Sequence, residues 1–251
     1  MLAMSVADVL GRSGPELSGG TQLASVWVAV TIAALGLHLF VEYRSSFGSG
    51  RGRAEDDDAT PSRPASLAIT KLIASTGFLF TAIHAGALGS EWGRWIFVGL
   101  VLSWCGDAFL LARARSMFLA GLVAFLLGHV GYCVAFVTHG FDTRVALAVA
   151  PVVLIAALVV DRWLRDHVQA GMRLPVRAYI VVISIMLTLA IAAWRGGGSH
   201  LLLLGAVSFY LSDLSVASDR FVRRDFLNRL WGLPAYYLGQ LCLALSVLPH
   251  G

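Results

Sequence analysis

The stretch WIFVGLVLSWCGDAFLLA, residues 95–112, decides the fold, because it is apolar almost throughout and has one charge near its end. At 1.5 Å per residue a helical run of this length crosses most of a bilayer's hydrocarbon core. The charge is Asp107. A second stretch repeats the arrangement: LLLLGAVSFYLSDLSVA, residues 201–217, carries Asp213. Placing a carboxylate in such a helix costs about 2.5–3.5 kcal/mol even on lenient insertion scales, so both acids are functional candidates.

Working outward, the whole chain is built in the same way. It has 57% hydrophobic and 14% charged residues, whereas a soluble domain carries about a quarter charged. The apolar residues fall in blocks of helical length, not in the alternating strands of a barrel. Eight blocks are expected to span the membrane, at about 21–41, 66–84, 92–112, 116–138, 144–161, 176–194, 200–218 and 231–249. The fold class is an all-α eight-helix transmembrane bundle. Residues 1–20 read as a polar N-terminal segment and 21–249 as a single transmembrane domain. The first block follows little positive charge and precedes no small-residue cleavage site, so it reads as a retained helix, not a signal peptide. Within the domain, RSSFGSGRGRAEDDDATPSRPA at 44–65 reads as a flexible cytoplasmic loop, with Asp56 to Asp58 solvated.

The net charge of +4 does not point to nucleic acid, because the basic residues are sorted by loop. Lys71 lies inside a block. Fourteen arginines fall in the loops after the first, third, fifth and seventh blocks, against Arg12, Arg94, Arg144 and Arg195 on the other side. By the positive-inside rule the fourteen face the cytoplasm and both termini face outward. The Ala, Arg and Gly usage fits a bacterial inner membrane. Cys105, Cys133 and Cys242 all lie in spans, where a thiol acts as a small apolar group and no disulfide framework is indicated. Trp92, Trp95, Trp163, Trp194 and Trp231 sit at span ends, as interfacial anchors do.

A faint internal repeat is visible. Ala124-Phe125-Leu126-Leu127-Gly128-His129 resembles Ala235-Tyr236-Tyr237-Leu238-Gly239-Gln240, and Gly106-Asp107 parallels Ser212-Asp213. Repeats of four helices would be parallel. Chance similarity in apolar sequence is the competing explanation. Depth brings the acids together in either case. Measured from Arg113 and Arg220, both carboxylates lie about 9–11 Å inside the cytoplasmic boundary, and Lys71 about 12 Å. Tyr236, Tyr237 and Gln240 fall in the same layer or slightly deeper. His129 and Tyr132 share a helical face, but His129, counted from Arg115, falls about 21 Å deep and is expected beyond the acids.

Two carboxylates near one another in a low dielectric tend to hold one proton between them, offering a general acid and a carboxylate together. Lys71 is suited to hold one acid ionised, to bind a lipid phosphate, or to serve only as a structural ion-pair partner. A zinc site would need His129 with both acids, since no His-x-x-x-His spacing occurs; no metal or other cofactor is expected. Ser103, Ser208 and Ser212 have no histidine at their depth, which argues against a Ser-His-Asp hydrolase.

Gly106-Asp107-x-x-Leu110, Phe118-x-x-Gly121 and Phe125-x-x-x-His129-x-x-Tyr132-x-x-x-Phe136 resemble the signature of the YhhN-like family, which includes the transmembrane lysoplasmalogenases. The resemblance continues through Tyr179, Met186, Gly205, Phe209-x-x-Ser212-Asp213 and Tyr237-x-x-Gln240. It runs from about residue 66 to the C-terminus. One departure is Leu72, where the family commonly has proline after the lysine. The resemblance implies hydrolysis of the vinyl ether bond of a lysophospholipid drawn from the membrane. Asp107 and Asp213 would be the catalytic pair, with Lys71, His129, Tyr132, Tyr179, Ser212, Tyr237 and Gln240 binding or supporting. Two other readings stay open: a hydrolase of other lysolipids or ether lipids, with or without a metal, and a proton-coupled carrier using the acids as a relay.

Overall fold

The computed structural model describes residues 19–47, 65–112 and 114–248. Eight α-helices are present among them: α1 Gly19–Phe47, α2 Ala65–His84, α3 Glu91–Phe109, α4 Arg115–His139, α5 Thr143–Arg165, α6 Ala170–Arg195, α7 His200–Ala217 and α8 Phe226–Leu245. The polar segment at 1–20 and the loop with Asp56 to Asp58 fall almost wholly outside the described residues.

Local sequence explains the helix boundaries. Ser90, Asp142, Ser199 and Asp225 cap α3, α5, α7 and α8, each side chain accepting from a backbone N–H of the first turn. Gly140 and Gly197 follow α4 and α6 with φ of 100° and 107°, a conformation that costs glycine nothing and other residues strain. A five-residue π turn, Ser218–Val222, extends α7.

Six of the helices are long and apolar enough to cross a membrane by length and composition. The two that fall short are α3 and α8. The first carries Glu91, Arg94 and Asp107; the second carries Asn228, Arg229 and Gln240. Polar side chains of this kind survive in lipid only when they face other helices.

The packing follows a simple rule. Sequence neighbours pair as α1 with α2, α3 with α4, α5 with α6 and α7 with α8, and these pairs are joined through α2·α3, α4·α6, α6·α7 and α2·α8. Helices α2, α3, α4, α6, α7 and α8 thus close a ring of contacts. Helix α1 lies outside against α2 and α8, and α5 lies outside against α6. Advancing every helix by four maps these eight contacts onto themselves; α1·α8 and α3·α8 have no counterpart of similar extent.

Glycines allow the two tightest pairs. A Cβ on Gly128 would lie 3.1 Å from the carbonyl oxygen of Gly99, and one on Gly239 would lie 3.0 Å from that of Gly205. These two contacts are equivalents under the four-helix shift, which gives the faint sequence repeat a spatial counterpart. Helix α5 is the opposite case. Leu147, Val152, Leu158 and Val159 are each at least 60% exposed, as suits a helix turned to lipid tails, which are as apolar as its side chains.

Candidate active site

Asp107 sits in the last turn of α3 and is buried. Lys71 and Ser75 lie four residues apart on one face of α2, and both reach it. Lys71 Nζ is 3.0 Å from Oδ1, and the Ser75 hydroxyl donates to Oδ2 at 2.6 Å. From α8 the Tyr236 hydroxyl donates to the same Oδ2 at 2.8 Å. An ammonium and two hydroxyls on one carboxylate satisfy its charge on every side. Lys71 is the only lysine in the chain.

Asp213 on α7 has different neighbours. The Tyr179 hydroxyl from α6 donates to Oδ2 at 3.0 Å, and His129 Nε2 from α4 lies 3.3 Å from the same oxygen. His129 Nδ1 is 2.7 Å from the Phe125 carbonyl oxygen. A carbonyl only accepts, so Nδ1 carries a hydrogen and Nε2 is the nitrogen that faces the carboxylate. The Nε2 contact is not aligned as a hydrogen bond. Among the described residues no donor reaches Asp213 Oδ1.

Aromatic rings connect the two acids. Phe209 packs against His129 at 4.5 Å and against Tyr236 at 5.4 Å between ring centroids. Phe125 meets Phe209 and Tyr236 edge to face. Behind this layer the Tyr132 hydroxyl donates to Gln240 Oε1 at 2.7 Å, tying α4 to α8 across the ring of helices.

A cavity of about 870 Å³ is bounded by Lys71, Asp107, Tyr179, Ser212, Asp213 and Tyr236, among others. Its rim is formed by the ends of α1, α3, α5 and α7 and the starts of α2, α4 and α8, so it belongs to the arginine-rich end of the bundle. That volume is in the range of small-molecule sites.

The acids, Lys71, Tyr179 and Ser212 all meet this cavity. Ser212 gives its own hydroxyl to the Phe209 carbonyl. His129, Tyr132, Tyr237 and Gln240 stand behind the wall, and Tyr237 reaches the Ser75 hydroxyl at 3.2 Å and the Lys71 carbonyl at 3.3 Å. The backbone of His129 lies deeper than the acids, as the count from Arg115 gives: its neighbour Gly128 packs against Gly99 and Ser103, one to two turns further in than Asp107 on α3. Its ring nonetheless reaches Asp213 at 3.3 Å, because helical side chains lean toward the helix N-terminus, here the end nearer the acids. Ser75 and Tyr236 are contacts the sequence reading did not assign. The spacing of Ser75 from Lys71 and the depth of Tyr236 were the available signals. Among the described residues no third His, Cys or carboxylate joins His129 and Asp213 in a metal-sized cluster.

A model of the YhhN family matches residues 67–247. Among curated proteins the chain is similar to the lysoplasmalogenase TMEM86A of Bos taurus, 31% identical over 164 residues, and that of Homo sapiens, 33% over 165 residues. Each match covers 61% of this chain and 65% of the relative. The lysoplasmalogenase TMEM86B of Mus musculus is 35% identical over 155 residues, covering 61% of this chain and 64% of its own. The chain therefore spans just under two thirds of the length of these relatives. No solved structure matches at a significant level.

Proposed function

The chain belongs to the YhhN family, and we propose that it is an integral membrane hydrolase that cleaves the vinyl ether bond of lysoplasmalogen. The products are a fatty aldehyde and a glycerophospho-headgroup. The observation that carries this reading is the pair of unlike carboxylates on one cavity, Asp107 satisfied on both oxygens and Asp213 with Oδ1 unclaimed among the described residues. The substrate class comes from what the similar relatives are called.

The reaction adds one water across the substrate. A proton goes to the alkene carbon remote from oxygen, leaving an oxocarbenium ion at the carbon attached to oxygen. Water attacks that carbon, and the resulting hemiacetal parts into aldehyde and glycerol hydroxyl. Asp213, backed by His129 and Tyr179, is the group suited to deliver the proton and then to take one from the attacking water. Asp107 supplies a fixed negative charge for the cationic transition state, as a carboxylate does in glycosidases. Lys71, Ser75 and Tyr236 hold that carboxylate in place. The single acyl-like chain would lie among the apolar residues of the cavity, with the headgroup at the arginine-rich, cytoplasmic end.

A substrate panel in heavy water tests the reading. The purified protein is given three lysophospholipids that differ only in the chain linkage: vinyl ether, saturated ether and ester. The expected result is aldehyde from the vinyl ether alone, with one deuterium on the carbon next to the carbonyl. Release of fatty acid from the ester, or aldehyde without that deuterium, would overturn the proposal.

A further inference from the structure

Among the described residues four side chains of Lys and Arg border the cavity: Lys71, Arg220, Arg224 and Arg229. Two of them are already engaged. Lys71 pairs with Asp107 at 3.0 Å. Arg229 pairs with Glu42 at 2.6 Å and with Asp219 at 3.5 Å. Among the described residues neither Arg220 nor Arg224 makes an ion pair with a carboxylate. Among the described residues the mouth of the cavity therefore has two guanidinium groups in no direct ion pair, with Asp219 beside Arg220 already paired to Arg229.

Arg220 is also held in position. Its guanidinium carbon lies 3.9 Å from the centroid of the Phe118 ring in the first turn of α4. Stacking of this kind fixes the plane of the group while leaving its edge N–H donors free for a planar or tetrahedral oxyanion. The residue belongs to the π turn Ser218–Val222, a departure from regular helix that recurs at functional sites. Arg224 follows just beyond the end of that turn.

From this arrangement we infer that Arg220 and Arg224 bind the phosphate of the lipid headgroup and fix how far the lipid enters. The inference rests on the reading of the substrate as a lysophospholipid. Its spacing agrees with that substrate. From the reacting vinyl carbon to phosphorus there are six single bonds, a reach of about 7–8 Å at ordinary bond lengths. Arg220 is seven residues beyond Asp213, about 10 Å along the helix at 1.5 Å per residue. The guanidinium's own reach covers the difference. With the phosphate on the arginines, the vinyl ether stands at the level of Asp213; a lipid with no phosphate has nothing to hold it at that level.

Binding of two uncleavable lipids tests this independently of turnover. A saturated alkyl-ether lysophospholipid and the matching alkylglycerol, identical but for the phosphate, are titrated calorimetrically into the protein in nonionic detergent. The wild type should bind the phosphate-bearing lipid at least tenfold more tightly, the scale of one charge-assisted hydrogen bond. Arg220→Gln with Arg224→Gln should bring the two lipids to equal affinity, and Arg220→Lys with Arg224→Lys should restore part of the preference. Arg223→Gln, which removes a guanidinium paired with Asp225, should leave the preference unchanged. Inorganic phosphate should displace neither lipid. Equal binding by the wild type, or a preference that survives loss of both arginines, would overturn the assignment. Displacement by inorganic phosphate as effective as by the lipid would also overturn it, since the site would then serve the free anion. Because neither lipid can be cleaved, a failure of the hydrolase reading leaves this result standing.

Discussion

Asp107 and Asp213 are the same residue type, yet the residues around them suit opposite tasks, and substitution should separate those tasks. Asp213→Asn is expected to cost at least a hundredfold in kcat, the contribution of a positioned general acid. His129→Ala should cost about as much in kcat with little change in KM. An unchanged kcat would reduce His129 to a packing role against Phe209. At Asp107 the informative comparison is between neighbouring tyrosines. Tyr236→Phe removes a hydrogen bond to the carboxylate, whereas Tyr237→Phe removes only contacts to Ser75 and a backbone carbonyl. Steady-state kinetics should show the larger loss for Tyr236→Phe. Both acids and Lys71 were legible in the sequence, because a charge in an apolar run needs a reason. Tyr236 was placed at the depth of the acids but given no role, and Ser75 was not singled out, because hydroxyls are common in membrane helices and only the direction in which α8 and α2 face sets these two apart.

At the scale of helices, close approach at glycine decides which pairs bind tightly. A Cβ at Gly205 would stand 2.8 Å from Leu243 Cγ and 3.0 Å from the Gly239 carbonyl oxygen, while one at Gly36 would meet nothing. Gly205→Ala should therefore destabilise the protein by about 1–3 kcal/mol, the usual cost of overpacking. Gly36→Ala should be neutral or slightly stabilising. Thermal unfolding in detergent distinguishes them, and equal midpoints would contradict the tight α7·α8 seam. The eight apolar blocks locate all eight helices, but several helices run past the ends of their blocks. Helix α6 begins at Ala170, not near 176, and α8 at Phe226, not near 231. Hydropathy marks the part of a helix that lies in lipid, while capping and polar first turns, such as Asp225 before α8, carry the helix beyond it.

The whole molecule reads as two four-helix units around one cavity. The shift by four maps α3·α4 onto α7·α8 and α4·α6 onto α2·α8, so the acids occupy equivalent helices while their partners have diverged. The sequence hinted at this in two short matches, too weak to separate from chance in apolar sequence. The paired contacts of Gly99 with Gly128 and of Gly205 with Gly239 supply what the letters lacked. We propose the orientation from charge: with the arginine-rich end inside, a reporter fused after the C-terminus should be active only outside the cytoplasm. Activity on the cytoplasmic side would invert the assignment of the cavity mouth. The central claim is that one cavity cleaves a vinyl ether with two aspartates. The most direct test is aldehyde release from lysoplasmalogen by the purified wild type, Asp107→Asn and Asp213→Asn, each confirmed as folded by its thermal transition. Aldehyde from the wild type and none above background from either variant is the predicted result. Full activity in a folded Asp107→Asn or Asp213→Asn variant, or no aldehyde from a folded wild type, would contradict it.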